Sequence, residues 1–110
     1  MFTLKELKAN NGATINKAGD MVNYARGYQV SHEDLYIIPV YKLRKAKLLE
    51  TLNALLNGDH LGVWIDHNKA YIDRSELITN KRKAIMIGKE RCQKAIYNWK
   101  TGDCIPCCHW

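Results

Sequence analysis

Apolar positions along the chain fall into short groups whose spacing changes from segment to segment. Phe2, Leu4 and Leu7 are separated by Lys5, Glu6 and Lys8, which fits one short amphipathic turn or an edge strand. Asn10-Asn11-Gly12 and Lys17-Ala18-Gly19-Asp20 are turn formers that bracket Ala13 to Asn16, and Met21 to Tyr24 follows, so a hairpin is expected. Gly27 opens a second short strand, Tyr28-Gln29-Val30. Ser31-His32-Glu33-Asp34 then reads as a turn or a capped helix start. Leu35 to Tyr41 is β-branched and aromatic, with Pro39 marking an edge position or a bulge.

From Lys42 the period changes to three and four residues. Leu43, Ala46, Leu49, Leu52 and Leu56 predict a helix that Asn57-Gly58 stops. Leu61 to Ile65 and Ala70 to Asp73 flank the turn Asp66-His67-Asn68-Lys69, which predicts a second hairpin. Asp66 and Asp73 are read as polar residues at its strand ends. Thr79 or Asn80 caps a second helix with the apolar stripe Ala84, Ile85, Gly88 and Cys92; Gly88 is explained by close packing on a sheet. Ala95 to Trp99 forms a last strand, and Lys100 to Asp103 turns into Cys104-Ile105. The expected architecture is a small two-layer α+β sandwich, a mainly antiparallel sheet with two helices on one face. Residues 1–110 make a single domain with a flexible Cys-rich tail at 104–110.

Composition narrows the setting. The chain has 110 residues, 46% of them hydrophobic, and no run approaches the roughly 20 apolar residues that span a bilayer. Its first residues lack the apolar core of a secretory signal, so a cytoplasmic protein with no membrane partner is expected. Lys and Arg number 17 against 11 Asp and Glu, and the excess is uneven. Lys42, Arg44 and Lys45 gather at the start of one expected helix, Lys81, Arg82 and Lys83 at the start of the other. There the helix dipole is already positive, so these residues suit phosphate groups or an acidic protein patch; on an outward face they also serve solubility alone. Tyr41, Tyr97 and Trp99 could stack on bases or belong to the sheet.

The chain offers no convergent catalytic set: no nucleophile elbow, phosphate-cradling glycine loop or zinc-protease signature is present. It is therefore read as a non-enzyme. Cys104 and Cys107 have metal-ligand spacing, and with Cys92 and Cys108 they make a candidate zinc site; a tail of free thiols is the alternative. Exposed edge strands would also permit a homodimer.

Asn11-Gly12-Ala13-Thr14, Gly27-Tyr28-Gln29-Val30, Gly62-Val63-Trp64, Tyr71-Ile72-Asp73-Arg74-Ser75, Ala84, Gly88 and Gln93-Lys94-Ala95-Ile96 together resemble a group of small α+β proteins encoded by phages, prophages and other bacterial mobile elements. The resemblance carries over no catalytic residue. It implies a binding protein that blocks a host defence component, such as a CRISPR effector, another nuclease or an immune signalling nucleotide. The expected partner is a host defence protein or its nucleic acid, or a phosphate-containing ligand, met through Lys42, Arg44, Lys45, Lys81, Arg82 and Lys83. A general RNA- or DNA-binding accessory protein and a zinc-stabilised interaction module are the other readings.

Overall fold

The computed structural model describes residues 1–93 and 95–107. Among these, three α-helices and seven strands follow one another in an α+β order. They are α1 (Leu4–Ala9), β1 (Gly12–Ile15), β2 (Met21–Val22), β3 (Tyr28–Pro39), α2 (Lys45–Asn53), β4 (Asp59–Asp66), β5 (Lys69–Ile78), α3 (Lys81–Glu90), β6 (Ala95–Asn98) and β7 (Asp103–Pro106). The strands form one sheet in the order β2-β1-β4-β5-β3-β6-β7, with antiparallel pairing of β1 to β2 and β4, and of β6 to β3 and β7. The chain forms two compact units, Met1–Val22 with Asp34–Arg74, and Asn23–Glu33 with Ser75–Trp110.

In the first unit, Phe2, Leu7, Ile15, Leu43, Leu48, Leu52, Leu55, Leu61, Val63, Ala70 and Ile72 make one buried cluster. Helix α2 contributes Leu48 and Leu52 to it, with Leu49 partly buried against the cluster. Leu43 and Leu55 enter the cluster from outside the helix, while Ala46 and Leu56 are exposed. The buried stripe is thus shifted from the one the spacing suggested. The helix also starts later, after a 3-10 turn at Val40–Lys42, and ends at Asn53 rather than at Asn57-Gly58. At this end the Lys17 ammonium donates to the carbonyls of Leu52 (3.0 Å), Asn53 (3.3 Å) and Leu55, capping the last turn.

The hairpin of β4 and β5 is built as expected, and its turn is tighter. His67 and Asn68 have φ of 49° and 64°, the left-handed pair of a two-residue type I′ turn, which matches the twist of the strands. Asp73 is not a strand-end residue; it lies within β5, which runs on to Ile78.

The second unit has its own core of Val30, Ile78, Ala84, Ile96 and Cys107. Asn80 caps α3, its side-chain oxygen accepting from the Lys83 amide at 2.9 Å. A Cβ on Gly88 would meet Cys107 Sγ at 2.8 Å and Ile96 Cγ2 at 3.0 Å, so the glycine lets the helix close onto β6 and the segment after β7. Three expectations need correction. Ser31 to Asp34 is neither turn nor helix start but the middle of one 12-residue strand, β3, whose last residue is Pro39. Cys92 is outside the stripe and the helix, exposed with φ 55°, and Asp103–Pro106 of the supposed tail is strand β7. No helix among the described residues is long and apolar enough to cross a membrane.

Candidate functional site

The two basic trios lie in different units. In the first, Lys42 ends the 3-10 turn, Arg44 is the N-cap of α2 and Lys45 its first residue. These side chains are engaged locally. The Arg44 guanidinium donates to the carbonyls of Tyr41 (2.7 Å) and Leu43 (3.1 Å). The ammoniums of Lys42 and Lys45 sit 5.9 and 5.6 Å from the ring centres of Tyr41 and Phe2.

Lys81, Arg82 and Lys83 form the exposed first turn of α3, which holds no acidic residue. Lys83 borders a depression of about 400 Å³ lined by Glu76, Leu77, Ile78, Thr79, Asn80 and Ile87. Thr79 also lines a second depression, of about 360 Å³, with Arg26, Gly27, Tyr28, Asn98 and Lys100. The two hollows therefore share one lining residue, Thr79, with Lys83 bordering one and Arg26 and Lys100 the other. Neutral hydrogen-bonding groups fill in between them: the Thr79 hydroxyl and the amides of Asn80 and Asn98. Among the described residues Glu76 is the one acid in either lining, and it is held by Arg91 at 2.6 Å, with His32 at 3.5 Å.

Strand pairing creates the second hollow. Antiparallel register sets Tyr28 beside Asn98, and the Trp99 amide donates to the Gly27 carbonyl at 3.0 Å. Arg26 and Lys100, 74 positions apart in sequence, thereby come to flank the same pair of residues. A buried relay stiffens the neighbouring strands: Trp99 Nε1 donates to Gln29 Oε1 (3.0 Å) and Gln29 Nε2 to Ser75 Oγ (2.9 Å). Tyr24 and Tyr97 pack edge-on against the Trp99 ring, at 5.4 and 5.0 Å between centres. Tyr97 and Trp99 thus belong to a packed cluster; Tyr41 is exposed.

Arg26 and Lys100 were missed by sequence reasoning because neither stands in a run of basic residues. The only signal was their place just outside two strands that pair. The unit that contains them carries eight basic residues against four acidic ones, compared with nine against seven in the other, so most of the net +6 belongs to it.

The cysteines are dispersed. Cys107 is buried and packs against Gly88 and Ile96, whereas Cys92 and Cys104 are exposed. Among the described residues no three His, Cys, Asp or Glu side chains converge as metal ligands, and Cys108 lies outside the described residues. No family model matches the chain, and no curated protein and no solved structure matches it significantly.

Proposed function

We propose that this chain is a non-enzymatic binding protein that takes the phosphates of a nucleic-acid partner in the paired hollows of its basic unit. One observation carries the reading: Lys83, Arg26 and Lys100 border two shallow hollows that share Thr79, and the remaining polar lining among the described residues is almost wholly neutral. Cations at the rim together with hydroxyl and amide groups in the lining suit a string of phosphates better than a single deep-bound small molecule. Lys81 and Arg82 extend the positive potential along the same helix start.

In the phage or mobile-element setting that the sequence resemblance implies, the partner is a host defence factor met through its bound nucleic acid, such as the guide RNA of a CRISPR effector, in the bacterial cytoplasm. The basic balance argues against imitation of DNA, which needs acidic side chains. The test is fluorescence anisotropy of labelled single-stranded RNA and duplex DNA, with Arg26→Glu/Lys100→Glu and Lys81→Glu/Arg82→Glu/Lys83→Glu as variants. Loss of binding in the first variant is the expected result. Equal binding by wild type and both variants would remove the hollows from the account.

A further inference from the structure

The β4–β5 hairpin of the other unit presents a face of opposite chemistry. Its two-residue turn at His67-Asn68 sets Asp66 opposite Lys69, and therefore Trp64 opposite Tyr71 and Gly62 opposite Asp73. Gly62 agrees with this register, since a Cβ there would collide with Asp73 Oδ1 and come within 2.9 Å of the carboxyl carbon. Leu61, Val63, Ala70 and Ile72 point into the core, so Gly62, Trp64, Tyr71 and Asp73 occupy the opposite side of the strands.

Two large rings are open there, Trp64 at 44% exposure and Tyr71 at 37%. On the far side of Trp64, its β1 partner is Gly12, which has no side chain to cover the indole. One step along the hairpin, about 6.8 Å, lies the Asp73 carboxyl. Burial, and then the neighbouring Asp34 carboxylate, push its pKa up to about 6. Among the described residues neither the Asp34 nor the Asp73 carboxylate has a hydrogen bond or an ion pair, while Asp59, Asp66 and Glu76 each have a basic neighbour within 4 Å.

We propose that this face docks an extended, arginine- or lysine-bearing segment of a partner protein, its cationic group lying on Trp64 and Tyr71 and pairing with Asp73. Charge complementarity selects the occupant. A nucleic acid or acidic peptide would be repelled by two adjacent carboxylates, and a purely apolar segment would cover them without supplying a counter-charge. A guanidinium satisfies both features of the face, because it stacks on aromatic rings and bridges carboxylates with parallel N–H donors. The face is independent of the basic hollows, so a protein partner and a nucleic acid could be held by different residues of one chain.

The experiment titrates wild type with three fluorescein-labelled octapeptides of alternating Ser with Arg, Lys or Glu. Wild type is expected to bind the Arg peptide most tightly and the Glu peptide not at all at this face. Trp64→Ala and Asp34→Asn/Asp73→Asn are each expected to weaken Arg-peptide binding at least tenfold while Arg26→Glu/Lys100→Glu leaves it unchanged. Trp64 is surface-exposed and Asn keeps the shape of Asp, so these variants retain the fold, which thermal unfolding checks. Arg-peptide binding that is absent, or equal in wild type and both face variants, overturns the proposal. So does a wild-type dimer in light scattering that Trp64→Ala dissociates, since the face would then serve a second copy. RNA binding by the face variants, expected to equal wild type, separates failure here from failure of the nucleic-acid reading.

Discussion

Asp73→Asn should make the protein more stable at neutral pH and leave it nearly unchanged in acid. The Asp73 carboxyl is raised from an ordinary 3.8 to about 6, first by burial against Gly62 and the sheet, then by Asp34. Holding it ionised in the folded state therefore costs free energy. At about 1.4 kcal/mol per pKa unit, a shift of two units sets an upper bound of about 3 kcal/mol above pH 7. Partial access to solvent on this side of the sheet reduces the expected cost to about 1–2 kcal/mol. Between pH 6 and pH 4 the folded chain holds this proton more often than the unfolded chain does. Wild-type stability from this group consequently rises as pH falls through that window, and is fully recovered below about 4. Asparagine has the same outline and never ionises, so the variant lacks the cost at every pH. For a domain of this size the gain at pH 7.5 corresponds to a rise of roughly 4–10 °C in Tm. Thermal unfolding followed by circular dichroism, wild type and variant side by side at pH 7.5 and pH 4, measures it. A variant less stable than wild type at pH 7.5, or a gain of equal size at both pH values, would refute the reasoning.

Three further outcomes follow from packing and capping. Gly88→Ala gains up to about 1 kcal/mol of helix propensity but drives its Cβ to 2.8 Å from Cys107 Sγ and 3.0 Å from Ile96. A net loss of about 1–2 kcal/mol in urea unfolding is expected, and a Cys107→Ala background should shrink it. Iodoacetamide should label Cys92 and Cys104 in the native protein well before Cys107, as read by mass spectrometry of peptides; equal rates would contradict the buried position of Cys107. Lys17→Met should lower stability by about 1 kcal/mol through loss of the cap on α2, and a variant as stable as wild type in urea would show that the ammonium contacts contribute nothing.

The elements written in local sequence were legible. The β4–β5 hairpin could be read because its apolar runs end at turn-forming residues, and Gly88 because a glycine inside a helical pattern implies close approach. The continuity of β3 was hidden: Ser31, His32, Glu33 and Asp34 are all polar, and what holds them in a strand is pairing to distant partners, including the contact of His32 with Glu76. The phase of α2 was hidden for a related reason. Leu43 and Leu55 complete its buried cluster from outside the helix, so the apolar spacing in sequence describes a longer helix than forms. The basic start of α3 was visible as Lys81-Arg82-Lys83, yet the hollow flanked by Arg26 and Lys100 was not. It exists only because Tyr28 pairs with Asn98, a register that no local pattern encodes.

The central claim, that the basic hollows hold the phosphates of a nucleic acid, is tested most directly by anisotropy of a labelled single-stranded RNA at 50 and 200 mM salt. Three phosphate contacts, by Arg26, Lys83 and Lys100, predict a loss of affinity of roughly 20-fold between the two salts. Arg26→Glu/Lys100→Glu should bind at least tenfold more weakly than wild type at 50 mM, with its fold intact by circular dichroism. No binding by wild type at 50 mM, or binding that neither salt nor the double variant alters, would contradict the account.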